Sequence, residues 1–237
     1  PHATSLVAPV RQALELLRSV TRQQAIFDPA KAQRTFRVCM TGITHLVLLP
    51  QLMNRLSEVA PSIRIEITHI SARTPKMLES GDADLAVGFM PELEAGFYQQ
   101  KLFDQRFVCV VRKDHPRIHS RLTQGMFRRE KHVVVSAAGA GNELVERELD
   151  RLGVQRNISL HLPDFLGIGA LVAQTDLMIT VPERVAETLL RIAEVKLFRP
   201  PFALPGFAIK QHWHERYQQD PSNKWLRSVI ADLFLER

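Results

Sequence analysis

Short apolar runs alternate with segments of helical period along most of this chain, and this alternation constrains the fold more than any other feature. The apolar runs occupy residues 36–40, 63–67, 85–87, 107–112, 133–135, 158–162, 177–181, 195–198 and 208–213. The helical segments occupy residues 49–59, 74–78, 143–152, 165–173 and 183–192, and a final one opens at Asp220-Pro221 with Trp225, Leu226, Val229 and Leu233 on its predicted buried face. Strands that alternate with helices predict parallel sheets, because parallel strands need a crossover connection.

The pattern occurs twice. A first strand–helix–strand–helix–strand set lies within residues 36–87, Lys113-Asp114-His115-Pro116 ends the strand at 107–112, and a second set follows. A proline-rich stretch then precedes the strand at 208–213. We therefore predict an α/β fold with lobe I formed by residues 36–112 plus 207–237 and lobe II by residues 113–206. A ligand cleft is expected where two such lobes meet.

Residues 6–25 predict one amphipathic helix ahead of the lobes. Its apolar stripe consists of Leu6, Val10, Ala13, Leu14, Leu17 and Val20. A single helix of this length is marginal in water unless another surface covers its stripe. That surface is either the chain's own lobes or a second copy of the chain.

Composition excludes several classes of protein. Hydrophobic residues make up 45% and charged residues 24%, as in globular proteins, and no apolar run approaches the ~18 residues that span a bilayer. The net charge of +6 is scattered, which favours a solvated surface over a nucleic-acid track. Cys39 and Cys109 each lie inside an apolar run, which predicts reduced, buried cysteines rather than a disulfide. The start lacks a basic and apolar signal segment and has no Met, so we expect a fragment.

The chain carries none of the common catalytic motifs, so we predict no enzyme activity, no catalytic residue and no cofactor. Residues 139–144 lack the third glycine of a dinucleotide-binding fingerprint. His212 and His214 share one strand face, but no third ligand accompanies them, so a structural or solvent-facing pair is favoured over a metal site.

Four stretches resemble one family of regulators. They are Phe36-Arg-Val-Cys-Met-Thr with Leu49-Pro-Gln-Leu-Met, then residues 78–88 with the sequence LESGDADLAVG, residues 110–116 with VVRKDHP, and residues 180–184 with TVPER. In this order and spacing the chain resembles LysR-type transcriptional regulators over essentially its whole length. Within the family it resembles the branch that senses aromatic compounds, including regulators of nitroaromatic and salicylate breakdown. Trp213-His214 and residues 220–227 also resemble that branch.

The resemblance implies two Rossmann-like lobes with two crossover strands, a type II periplasmic-binding-protein-like fold, preceded by a linker and dimerisation helix at residues 1–27. It implies a cytoplasmic homodimer or homotetramer that binds a small, aromatic effector and no membrane. Operator DNA would be contacted only through a winged helix-turn-helix head that this chain lacks. A solute-binding protein of a transport system is the alternative with a similar fold, and the helix at 6–25 favours the regulator.

The resemblance also places effector contacts at strand-to-helix junctions. Thr41 ends a strand where a helix begins, and free N–H groups and hydroxyls there suit a polar ligand group, although a helix cap explains Thr44 equally well. His45 is left out because a solvent-facing position fits it, and Asp84 is expected to pair locally.

In lobe II the small-residue loop 136–141 leaves room for a ligand, and Asp164 occupies a position where some relatives carry histidine. A carboxylate there would repel an acidic effector and accept a hydrogen bond from a phenol or amide, although an N-cap explains Asp164 as well. The predicted effector-binding residues are Thr41, Gly42, Ile43, Thr44, Gly88, Phe89, Ala138, Gly139, Asp164, Phe165, Thr180, Val181 and Pro182. No metal-binding residue is predicted.

Overall fold

A computed structural model describes residues 27–93, 95–136 and 141–235 of the chain. The predicted helix at residues 6–25 and the predicted site residues Ala138 and Gly139 lie outside the described residues.

The described chain forms ten strands and seven helices. The strands are β1 Thr35–Met40, β2 Arg64–His69, β3 Leu85–Gly88, β4 Phe97–Gln105, β5 Phe107–Arg112, β6 Lys131–Val135, β7 Asn157–Leu162, β8 Met178–Pro182, β9 Val195–Phe198 and β10 Phe207–His214. The helices are α1 Gly42–Val59, α2 Thr74–Ser80, α3 Gln124–Arg129, α4 Asn142–Arg151, α5 Ile168–Gln174, α6 Glu183–Ile192 and α7 Pro221–Phe234, with one 3₁₀ turn at Glu215–Tyr217.

Two mixed five-stranded sheets carry the fold. The first has the order β2-β1-β3-β10-β4 and the second the order β7-β6-β8-β5-β9. In each sheet three neighbouring strands pair in parallel, and the chain's crossover strand pairs antiparallel with its two neighbours. The predicted α/β fold with two lobes and two crossings is confirmed.

The strand Phe107–Arg112 belongs to the second sheet, not to lobe I where the sequence analysis places it. β5 pairs antiparallel with β8 and with β9, so the chain leaves the first sheet at Arg106, between β4 and β5. The strand is apolar and buried from Phe107 to Val111, which is the pattern of a central strand in either sheet. Periodicity therefore predicts the strand correctly and cannot assign its sheet.

Two elements have no counterpart in the sequence-based prediction. β4 begins with residues that are mostly polar and exposed, and it pairs with β10 along its length. α3 has only six residues and buries a single large side chain, Phe127. Weak amphipathic patterns of this kind do not separate a short element from a loop.

One continuous core joins the two lobes. Residues of β1 and α1, among them Phe36 and Leu52, belong to the same buried cluster as Cys109 of β5 and Leu149 of α4. The rings of Phe107 and Phe207, which lie at the two crossings, are 5.2 Å apart. Helices α1 and α6, from different lobes, also contact one another. The lobes are thus packed together beside the cleft.

The described residues contain no helix that is long and apolar enough to cross a bilayer. Cys39 and Cys109 are both buried and unpaired, as predicted, and burial raises the pKa of the Cys109 thiol to about 12. Asp84 accepts hydrogen bonds from the side chain of Arg34 and from the backbone N–H of Arg37. Both partners are distant in sequence, so Asp84 pairs within lobe I but not with the local partner that was predicted.

Candidate functional site

A cleft between the lobes opens at the junction of β1 and α1. A cavity of about 620 Å³ lies there, a size that suits a small molecule. Its lining residues are Gly42, His45, Leu46, His69, Asp164, Phe165, Leu166, Gly167, Ile168, Gly169, Ala170, Leu189 and Ile192. A second cavity of about 260 Å³ shares four of them and adds Thr41, Ile70, Ser136 and Pro163. Residues of both lobes therefore line two neighbouring cavities, which together form the candidate site.

The lobe I wall is built on the N-terminus of α1. Thr41 caps the helix: its Oγ1 accepts the backbone N–H of Thr44 at 3.2 Å and lies 2.8 Å from the Thr44 hydroxyl oxygen. Both side chains are buried, so the two hydroxyls are committed to each other and to the cap. The N–H groups of Gly42 and Ile43 precede the first intrahelical bond, and the first turn has no acidic residue. This wall therefore has a positive electrostatic character.

Two histidines complete the lobe I wall. His45 lies in the first turn of α1 and His69 ends β2, and their ring centroids are 5.6 Å apart. Nε2 of His45 is shielded from solvent and has no hydrogen-bond partner among the described residues. Burial lowers the pKa of His45, and the neighbouring His69 lowers it further. Neither histidine is among the site residues predicted from the sequence.

The register of the first sheet brings His69 to the cleft. Met40, the last residue of β1, is paired with His69, the last residue of β2, so both parallel strands end at the same edge. That edge is where the α1 junction begins. Counting from the ends of the two predicted parallel strands is the signal that would have found His69.

The lobe II wall is mainly apolar. Phe165 is buried and faces the cavity together with Leu189 of α6, whereas Leu166 and Ile192 are 89% and 67% exposed at its rim. Such exposed apolar side chains beside a cavity are unusual enough to indicate a binding surface.

Asp164 is not a helix N-cap, contrary to one of the two predicted alternatives. α5 begins at Ile168, later than the predicted Phe165, and its N-cap is Gly167 in the left-handed conformation with a φ of +70°. The carboxylate Oδ1 of Asp164 accepts the backbone N–H of Leu166 at 2.8 Å, which stabilises the turn before the helix. The side chain is exposed and lines both cavities.

The predicted site residues fall into groups. Thr41, Gly42, Asp164 and Phe165 line the cleft together. Thr44 and Pro182 line, with Thr41, a separate enclosed space of about 20 Å³ between the lobes. Ile43 lies in the first turn of α1.

The remaining described residues of the predicted site belong to packing contacts outside the cleft cavities. Phe89 packs its ring 5.3 Å from that of Phe207, next to Gly88 at the end of β3. Thr180 and Val181 are buried in β8, where the Thr180 hydroxyl lies 3.6 Å from Cys109 Sγ.

The two histidines of β10 lie in different surroundings. In the part of the chain that the structure describes, no three His, Cys, Asp or Glu side chains are placed to hold a metal ion. His212 is buried, and burial lowers its pKa to about 4, whereas His214 caps the following 3₁₀ turn by accepting the N–H of Arg216.

Two α/β sheets joined by two crossings, with a ligand-sized cleft between the lobes, define a two-lobed binding module of the type II periplasmic-binding-protein-like class. Residues 29–234 match the family model described as the LysR substrate binding domain. The chain therefore belongs to the LysR family, whose members are transcriptional regulators and not enzymes. Membership of this family also removes the transport-protein alternative.

Named relatives agree with this assignment. Over all 237 residues the chain is 37% identical to the HTH-type transcriptional activator NahR of Pseudomonas putida, covering 79% of that protein. It is 39% identical to the HTH-type transcriptional activator NagR of Ralstonia sp, again over the whole chain and 79% of the relative. The crystal structure of the regulatory domain of MexT, a transcriptional activator in Pseudomonas aeruginosa, superposes with a TM-score of 0.75 at 30% identity, covering 85% of this chain and 100% of that domain.

Proposed function

We propose that this effector-binding module of a LysR-type regulator takes a small aromatic effector in the inter-lobe cleft. The observation that supports this most directly is the contrast between the two walls of the 620 Å³ cavity. The polar end of α1 and two imidazoles face an apolar surface that includes Phe165 and Leu189. Flat apolar ligands with one polar end bury their ring against such a surface and orient the polar end by hydrogen bonds. The resemblance to regulators that sense aromatic compounds supports the same class of effector.

The route from the cleft to the head begins in lobe I. Arg34 donates to Asp84 Oδ1 at 2.7 Å, and its guanidinium lies 4.6 Å from the ring centroid of Phe36. Phe27, the first described residue, packs its ring 5.3 Å from that of Trp225. The chain that enters β1 is thus fixed to lobe I by an ion pair and an aromatic cluster.

An effector that contacts both walls favours one arrangement of lobe II relative to lobe I. Because the incoming chain is fixed to lobe I, we propose that this change reaches the DNA-binding head through residues 1–27. In this proposal those residues also join copies of the chain into a homodimer or homotetramer, and operator DNA is bound only by the head. The cytoplasmic location expected of such a regulator stays a prediction.

Filling the cavity tests its role directly. Gly42 lines both cavities, and a Cβ at this position would meet no atom within 4 Å, so Gly42→Leu is expected to fold and to occupy the ligand's space. Calorimetric titration with benzoate, benzamide, phenol and 1-naphthoate should show at least one ligand. Gly42→Leu should weaken its binding by about tenfold or more, equivalent to about 1.4 kcal/mol.

Gly125→Leu is the matched control. Gly125 also lies near the start of a helix, α3, where a Cβ would meet no atom within 4 Å, and it lines none of the cleft cavities. This variant should bind as the unsubstituted chain does. Equal affinities of the two variants, or no binding of any aromatic probe, would contradict the proposal.

A further inference from the structure

Leu166 is the most exposed of the large apolar side chains in the described chain, and it lies at the rim of the larger cavity. It is 89% exposed and lines the 620 Å³ cavity together with Leu46 of α1 and Ile192 of α6, which is itself 67% exposed. A single exposed leucine is ordinary on a protein surface. Two such side chains at the rim of one ligand-sized cavity are not, because a ligand that enters the cavity can bury them.

The turn between β7 and α5 fixes the backbone of Leu166 beside the cavity. Oδ1 of Asp164 accepts the N–H of Leu166 at 2.8 Å, and the carbonyl oxygen of Phe165 accepts the N–H of Ile168 at 3.3 Å. Phe165 is buried, and Gly167 on the other side has a φ of +70°. The backbone is thus held, whereas the exposed side chain is free to change rotamer and to fold towards the cavity.

The proposed orientation of the effector points its apolar end at this turn. The polar end lies at the start of α1 on the lobe I wall, so the opposite end reaches the lobe II wall. There Phe165 and Leu189 line the cavity, and Leu166 lies at the rim. A single unsubstituted ring can be covered without Leu166. An effector with an apolar substituent opposite its polar group extends to the rim and contacts this leucine.

We infer that Leu166 is a specificity-determining residue of the effector site, which closes over an apolar substituent opposite the polar group and so favours extended effectors over single unsubstituted rings. This inference rests on the proposed effector site and adds the part of the ligand that is selected and the side chain that selects it. Because Leu166 is exposed in the free protein, its truncation should weaken ligand binding without lowering stability.

The experiment uses neutral ligands that differ only in the length of one substituent. Phenol, 4-ethylphenol and 4-butylphenol are titrated calorimetrically into the full chain at three temperatures, and their dissociation rates are measured by stopped flow. Leu166→Ala and Leu166→Met are compared with Leu190→Ala. Leu190 is 48% exposed on α6 and lines neither of the cleft cavities, so it is a matched control. Thermal unfolding and sedimentation are recorded for every variant.

In the unsubstituted chain, affinity should increase along the series by up to about fourfold for each methylene group that becomes buried. Leu166→Ala should bind phenol almost unchanged and 4-butylphenol about four- to tenfold more weakly, mainly through faster dissociation. The heat-capacity change of 4-butylphenol binding should become less negative in this variant.

The other variants test whether the effect belongs to the leucine side chain. Leu166→Met keeps a long apolar side chain and should retain most of the affinity for 4-butylphenol. Leu190→Ala should match the unsubstituted chain. The melting temperature of Leu166→Ala should change by no more than about 2 °C, which a leucine needed for packing would not allow.

Several results would overturn the role of Leu166. Affinities that depend on substituent length equally in Leu166→Ala and in the unsubstituted chain would do so, and so would an equal loss of affinity for all three phenols. A second copy of the chain is the other occupant that can cover this leucine. Leu166→Ala that alters sedimentation and leaves phenol binding unchanged would assign Leu166 to a contact between copies and would also overturn the inference.

The outcomes also separate this inference from the proposed function. Phenols that bind Leu166→Ala and the unsubstituted chain alike, and that Gly42→Leu still excludes, would overturn the selection by Leu166 and leave the effector site standing. Failure of every phenol to bind, together with benzoate, benzamide and 1-naphthoate, would overturn both.

Discussion

The two lobes reach the cleft through the same kind of junction, a strand end followed by a helix, yet the junctions are built differently. In lobe I, Thr41 caps α1 and bonds the buried Thr44, so the turn is fixed by two buried hydroxyls. In lobe II, residues 163–167 separate β7 from α5, and Gly167 in the left-handed conformation starts the helix without a side-chain cap. Side-chain hydrogen bonds thus stabilise the junction of lobe I, whereas the junction of lobe II depends on the backbone conformation of a glycine.

This difference assigns different tasks to the two walls. A wall whose hydrogen bonds are already satisfied holds its remaining donors, the first N–H groups of α1 and the imidazoles, at fixed positions. A wall that presents Phe165 and the exposed Leu166 can follow the shape of an apolar ring. Orientation of the effector would thus come from lobe I and most of its buried area from lobe II.

Removal of the lobe I cap should have the largest effect on stability. In Thr41→Val, the N–H and hydroxyl of Thr44 lose their partner in a buried place, so we expect a loss of about 1–3 kcal/mol in the free energy of unfolding. Urea denaturation measures it. Thr123→Val is the control, because Thr123 caps α3 in the same way but is only half-buried, and should cost about 1 kcal/mol or less. Equal losses would mean that burial of the cap adds nothing to lobe I.

Glycine substitutions should separate the walls by a smaller amount. A Cβ meets no atom within 4 Å at Gly42 or at Gly167, so differences between the two alanine variants report backbone conformation alone. Gly167→Ala places alanine at a φ of +70° and should cost about 1–2 kcal/mol. Gly42→Ala is free of that strain and should be neutral or stabilising by up to about 1 kcal/mol.

The free energies of unfolding of both glycine variants are measured by urea denaturation, as for the Thr41 and Thr123 variants. A Gly167→Ala variant that is as stable as Gly42→Ala would show that the lobe II turn relaxes to another conformation without cost. The proposed difference between the side-chain-capped junction of lobe I and the junction of lobe II, which depends on backbone conformation, would then be wrong.

The sequence predicts the elements that are defined by local signals, and it misses those that are defined by long-range pairing. The β1–α1 junction is predictable because Thr41-Gly42 follows a strand and precedes a helical period, and both signals are local. The missed strand β4 contains polar residues in its first half, such as Gln99 and Gln100, and its pairing with β10, more than a hundred residues later, defines it. Long-range pairing of this kind leaves almost no local trace.

The candidate site shows the same division. Gly42 and Phe165 are found from the sequence because strand-to-helix junctions are local features that meet at cleft edges. His69 is missed because its place depends on the register between β1 and β2, and the start of α5 is misplaced because Gly167 favours a turn that a helical period at 165–173 hides. The sheet to which β5 belongs was likewise not predictable, because it depends on the strands that pair with β5, and those strands are equally apolar.

The smallest effect is expected at Asp164. Its bond to the N–H of Leu166 is exposed to solvent, so Asp164→Ala should change the free energy of unfolding by no more than about 0.5 kcal/mol. Asp220→Ala is the informative comparison, because Asp220 caps α7 through the N–H of Asn223, bonds Ser222 and lies 3.7 Å from Arg34. That variant should lose about 1–2 kcal/mol. If Asp164→Ala costs as much as Asp220→Ala, the carboxylate holds the lobe II junction as firmly as Thr41 holds that of lobe I, and the two walls of the cleft are equally rigid.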